Sequence, residues 1–159
     1  MSIIYTVITK NFKSVLCEFT EYNGNFEQIS PLILSEQEKN LSSKKVIDYD
    51  DYTFFLINKI LCNDDQNSFT ISIMCLVYKE NQPHRNIIFD YLNSLFNSLI
   101  KDHTIEYLQM CRAYSLENFN EVLKTMMTKF DKTLEKNKRI ESINSDNNEN
   151  DFGIDFFKN

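Results

Sequence analysis

The side chains that could do chemistry are few and scattered. Cys17, Cys62, Cys75 and Cys111 are widely spaced, with no C-x-x-C pair and no histidine close by, so the ligand spacing of a zinc site is missing. Cys17 and Cys75 fall inside apolar runs and read as small core residues. His84 and His103 stand at expected helix boundaries with no nucleophile pattern beside them, and read as locally satisfied surface histidines. Asp48, Asp50 and Asp51 cluster as a cation loop would, but the glycine and distal glutamate of a calcium loop are not at the required spacing. They read as a solvated turn, and Asp64-Asp65 as part of a polar loop. Two glycines in the whole chain cannot build a phosphate-cradling loop. The expectation is a chain without catalytic residues, metal or cofactor. Function must then reside in surfaces, and so in the elements that shape them.

The centre of those elements is residues 52–100. Residues 52–60 and 69–78 are β-branched and aromatic runs, expected to pair as antiparallel strands across a polar tip. On the second, Phe69, Ile71, Ile73, Cys75 and Val77 make one face, and Met74, Leu76 and Tyr78 make much of the other apolar. Such a sheet must be covered on both sides. Residues 86–100 follow with Ile88, Leu92, Leu95, Phe96 and Leu99 at helical spacing.

Upstream, residues 3–10 suit a central strand. Residues 14–22 alternate, with Val15, Cys17 and Phe19 on one face and Leu16 as the exception. Phe26, Ile29, Leu32 and Ile33 recur at helical spacing. Pro31 allows either a helix starting near Ser30 or an irregular first turn from Asn25, ending near Asn40. Residues 46–49 suit a brief edge strand. Downstream, residues 105–114 fit a short strand or an ordered loop. Ser115 then offers an N-cap to a helix carrying Leu116, Phe119, Leu123, Met126 and Phe130. From Asp131 the apolar pattern fails. Residues 131–159 read as a polar, partly disordered tail, ending in the apolar knot Phe152, Ile154, Phe156 and Phe157, which either docks on the domain or binds elsewhere.

The 159 residues fit one domain, residues 1–130, with that tail. The expected architecture is α+β: a five-stranded, mostly antiparallel sheet with one helix on one face and two on the other. A net charge of −6 disfavours nucleic acid, which calls for a basic stripe. No run approaches the ~18 apolar residues of a membrane span. With no N-terminal signal sequence, a reducing cytosolic setting is expected.

The order of elements resembles the longin domain, the profilin-like N-terminal domain of vesicle SNAREs. Residues 3–8 resemble its first strand, and Tyr52-Thr53-Phe54-Phe55-Leu56-Ile57 its aromatic central strand. Arg85-Asn86-Ile87-Ile88-Phe89-Asp90-Tyr91-Leu92 resembles the opening of its second helix. Arg112-Ala113-Tyr114-Ser115, followed by Phe119, resembles the entry to its third, most of all in the branch working between endoplasmic reticulum and Golgi. Arg139-Ile140-Glu141-Ser142-Ile143-Asn144 resembles the start of that branch's SNARE segment. The family's sustained heptads, central arginine and membrane anchor have no counterpart in the residues that follow, so the chain is expected to regulate or sort rather than drive fusion.

The resemblance implies a non-catalytic protein-interaction domain in vesicle-mediated transport, cytoplasmic and peripheral to ER, Golgi or vesicle membranes. Its implied partners are SNARE segments, vesicle coats or tethers. The implied surface is a groove between the first helix and the edge strand, at Phe26, Ile29, Leu32 and Ile33 beside Val46 and Ile47; for any one of these residues plain sheet cover is the commoner role. The alternatives are a subunit of a tethering or adaptor complex with a longin-like fold and, more remotely, a small cytosolic enzyme.

Overall fold

Long β-branched runs with few glycines and prolines favour a few long strands, and the sheet is built around two of them. The structure is a computed structural model describing residues 2–39 and 42–147. In chain order it contains β1 (Tyr5–Lys10), β2 (Ser14–Thr20), α1 (Phe26–Glu38), β3 (Lys44–Tyr49), β4 (Tyr52–Cys62) and β5 (Ser68–Tyr78). There follow α2 (Arg85–Asp102), α3 (Ile105–Met110), a 3-10 turn (Glu117–Phe119) and α4 (Asn120–Asn147).

The sheet order is β2-β1-β5-β4-β3, and every neighbouring pair is antiparallel. β4 and β5 pair along their whole length, from Tyr52 opposite Tyr78 to Cys62 opposite Ser68. Phe55, Ile57, Ile73, Cys75 and Val77 pack on one side with Leu92, Leu95 and Leu99 of α2 and Leu123, Met127 and Phe130 of α4. Phe54, Leu56, Met74 and Leu76 pack on the other with Phe26 and Leu34 of α1. The expected α+β layering is therefore what the chain adopts. β1, paired on both edges, is buried on both faces.

Several elements depart from expectation. α1 starts at Phe26 and accommodates Pro31. The Asn25 carbonyl accepts the N–H groups of Gln28 and Ile29 at 3.0 and 3.1 Å, closing the first turn. Pro31 cannot donate to the Glu27 carbonyl, but both residues are exposed, so water can reach that carbonyl. Burial of Phe26, Ser30, Leu34 and Gln37 at spacings of four, four and three holds the helix down.

Residues 105–114 form neither a strand nor a plain loop. Thr104 caps α3 by accepting the Tyr107 N–H at 3.1 Å. The chain then runs along β2, where the Tyr114 and Leu116 N–H groups donate to the carbonyls of Val15 and Leu16 at 2.6 and 3.1 Å. Ser115 is not an N-cap; its hydroxyl donates to the Arg112 carbonyl at 2.6 Å. The inward residue of α4 is Met127, with Met126 half-buried on its flank.

α4 does not stop at Phe130. Leu134 and Asn137 continue its inward stripe, so the expected domain boundary falls inside a helix that runs to Asn147. The segment expected as an apolar knot lies outside the described residues. Among the described residues no helix is long and apolar enough to cross a membrane.

Candidate interaction surface

α1 has two flanks that meet different neighbours. Leu34 and Glu38 share one flank, four residues apart. Glu38 reaches Lys13 in the β1–β2 connection at 4.0 Å, which directs that flank toward β1 and β2. Ile29 and Ile33 share the opposite flank. Both are half-buried against the cluster beneath α1. Leu32 points away from the sheet and is 66% exposed.

Phe26 is not part of this surface. Its ring is buried, 5.6 Å from the Tyr5 ring in a stacked arrangement and 6.1 Å from Tyr52 edge to face. Gly24 permits this packing: a Cβ there would stand 2.7 Å from Phe26 Cζ. The Tyr5 hydroxyl donates to Glu18 Oε2 at 2.5 Å and lies 3.2 Å from Ser30 Oγ, tying α1 to the strands beneath.

β3 is the edge strand, as expected, beginning at Lys44. Its register places Val46 opposite Phe55 and Ile47 opposite Phe54. Adjacent strand residues point to opposite faces. Ile47 accordingly packs on the α1 side, and Val46 on the side of α2. The six residues expected to share a groove are thus divided. Ile29, Ile33 and Ile47 pack against one cluster, Leu32 is exposed on the outer side of α1, Phe26 is sunk in the core, and Val46 belongs to the other face.

Tyr49 was missed by the sequence reading and belongs with Ile47. It lies two residues further along the same face, packs edge to face on Phe54 at 6.4 Å, and remains 40% exposed. Period-two alternation from Ile47 would have found it. The acidic cluster beside it is turn chemistry. Asp50-Asp51 link Tyr49 to its partner Tyr52, Asp50 adopts φ 52°, and Asp48 Oδ1 accepts the Thr53 hydroxyl at 3.0 Å. Among the described residues no strand pairs with the outer edge of β3. The surface therefore offers free backbone groups along a strand, flanked by apolar side chains from β3 and α1. Such an arrangement can add a strand or seat an apolar helix face.

Groups with potential for catalysis have structural surroundings. Burial pushes the Cys17 thiol up to about 12, with Glu18 and Cys111 adding to the shift, and burial raises Cys75 further. Burial also raises the Tyr5 and Tyr91 hydroxyls. His84 Nδ1 accepts the Asn86 N–H at 3.2 Å at the start of α2. His103 Nδ1 lies 3.0 Å from the Leu99 carbonyl, and its ring stacks on Tyr107. Among the described residues no cluster of His, Cys, Asp and Glu could hold a metal ion.

The sequence model of one family, longin, described as a regulated-SNARE-like domain, matches residues 16–123, more than half of the chain. No curated protein matches the chain.

Proposed function

The chain belongs to the longin family, and on that premise we propose that it is a non-catalytic protein-interaction domain in vesicle-mediated transport. It acts in the cytoplasm at the ER–Golgi step, regulating or sorting rather than driving fusion. The observation that carries this reading is the open edge of β3, where Ile47 and Tyr49 stand on the face whose cluster Ile29 and Ile33 of α1 also pack against. The ligand is an amphipathic or extended apolar segment of a SNARE, coat or tether. It docks against Ile29, Ile33, Ile47 and Tyr49, with Leu32 at the rim.

The test is a titration of the isotope-labelled chain with a synthetic SNARE-segment peptide, followed by amide chemical shifts. Shifts concentrated in α1 and β3 support the reading. Saturable binding that leaves both elements unshifted, or no binding at all, would sink it. Removal of residues 151–159 is the intramolecular version of the same test. If that segment occupies the groove, its deletion shifts α1 amides and tightens peptide binding.

A second reading, a tether or adaptor subunit, draws support from the α2–α3 corner. Ile100, Tyr107 and Met110 are 41%, 51% and 79% exposed there, as a subunit awaiting a permanent neighbour would leave them. Sedimentation of the chain from cytosol in a stable, stoichiometric complex would favour it.

A further inference from the structure

The outward side of α4 carries Lys129, Lys132, Lys136 and Arg139 at spacings of three, four and three. That spacing puts all four on one face of the helix. Met127, Phe130, Leu134 and Asn137 mark the opposite, inward face, and all four cations are exposed. Among the described residues none of the four forms an ion pair. Asp131 is turned aside, accepting the Ser2 N–H at 2.7 Å. Ile143, four residues beyond Arg139, continues the stripe and is 58% exposed.

The charge of the chain is unevenly distributed. Between residues 124 and 139 six Lys/Arg face two carboxylates, a local charge of +4 in a chain of −6, so the remainder carries −10. From Lys129 to Ile143 the stripe runs about 21 Å along a straight helix at 1.5 Å per residue. The sheet lies behind that helix, and of the remaining charge −4 falls in residues 140–159. At physiological salt the screening length is about 8 Å, so a surface in front of α4 meets the cations first.

We infer that this face of α4 docks on an anionic lipid bilayer, with the four cations against headgroups and Ile143 entering the interface. The inference goes beyond the proposed function, and rests on the charge of α4 and not on the β3 groove. A bilayer is the occupant the geometry favours. The stripe is convex and straight, offers no groove to a peptide, and carries no aromatic residue on which a base could stack. A planar array of negative charge needs none of these. Juxtaposed basic residues contribute about 1 kcal/mol each at such a surface, or about fivefold in partitioning per cation.

The experiment is co-sedimentation of the full chain with vesicles of phosphatidylcholine alone or mixed with phosphatidylserine. Binding is expected only to the mixed vesicles, and it should be lost at about 1 M salt. The variant K129Q/K132Q/K136Q/R139Q should lower partitioning by about a hundredfold or more and keep its helical circular dichroism, since glutamine is a good helix former on an exposed face. A control with Lys13, Lys39, Lys79 and Lys101 changed to glutamine should bind within a fewfold of the parent. Ile143→Ser should weaken binding fewfold with an unchanged salt slope. Equal binding to both vesicle types, no binding to either, or equal losses in stripe and control variants would overturn the inference. Stripe-dependent capture of poly-glutamate tighter than of mixed vesicles would assign the face to an acidic protein segment instead. Groove titration by peptide reads a different surface, so either proposal can fail alone.

Discussion

Val15 and Cys17 face opposite sides of the sheet, although residues two apart in a strand normally share a side. Val15 packs beneath α1, and Cys17 packs with α2 and α4. The cause lies between them. Ile8 pairs with Cys17 and Thr9 with Val15, so Leu16 is an extra residue, a β-bulge. Leu16 is fully buried with Cys17, and the carbonyls of Val15 and Leu16 meet the passing segment of residues 114–116. Leu16→Ala would empty a core site at the one place where β2 gains its outer partner. We expect a loss of about 2–5 kcal/mol in urea unfolding. Faster amide exchange should appear at Tyr114 and Leu116 before the rest of the sheet. A loss under about 1 kcal/mol, with those two amides still protected, would contradict this account.

Lys10 fastens α3 to the sheet. Its Nζ donates to the carbonyls of Leu108, Gln109 and Cys111, at 3.3, 2.6 and 2.5 Å. These are carbonyls at the end of a six-residue helix, where a cation is favourable. A helix that short has little stability of its own. Lys10→Met keeps the aliphatic stem and removes the charge. It should cost about 1.5–3 kcal/mol and speed amide exchange in residues 107–111 more than in α2. Uniform exchange changes in both helices would point to general destabilisation instead.

The buried thiols make stability fall in alkali. Cys17 is held up to about 12 and Cys75 above it, mainly by burial. Unfolded thiols ionise near pH 8.5. Folding therefore favours the protonated form, and its full benefit is present below that pH. It is lost as pH rises from there toward the folded values. The urea midpoint should drop between about pH 7.5 and 9.5, before tyrosine ionisation dominates the unfolded chain. A C17A/C75A variant should show a smaller drop. Thiol reagents at neutral pH should modify exposed Cys62 rapidly and the buried Cys17, Cys75 and Cys111 only on unfolding.

The strand pair β4–β5 and helix α2 were legible because period-two and period-3.6 patterns ran unbroken for ten or more residues. Where a local rule was overruled, tertiary contact did it. Leu16 stood out as an exception to alternation, but only its two-sided pairing identifies a bulge. Ser115 has good N-cap chemistry, yet the N–H of Leu116 is drawn to β2 and the helix begins later. Pro31 obscured a helix whose inward residues secure it regardless. At the interaction surface, Val46 and Ile47 were adjacent apolar residues and were grouped, although strand geometry must separate them. The continuation of α4 past Phe130 was hidden by charge. Its inward positions dwindle to Leu134 and Asn137 while its outward ones fill with lysine and arginine.

Tyr49 and Leu32 should contribute unequally to ligand binding at the β3 edge. Tyr49 is braced on Phe54 and half-sunk beside Ile47, so it presents a fixed aromatic surface. Leu32 is exposed on the crest of α1 and would bury little against a ligand lying in the groove. Anchors of the first kind dominate interfaces, and rim contacts add little. Tyr49→Ala should weaken a SNARE-segment peptide by about 2 kcal/mol, or roughly thirtyfold. Leu32→Ala should weaken it less than about fivefold. As a surface substitution, Leu32→Ala should also leave stability within about 0.5 kcal/mol. Calorimetric titration of both variants measures the contrast. If Leu32→Ala proves the more damaging, the ligand sits on the crest of α1, and β3 is not its strand partner.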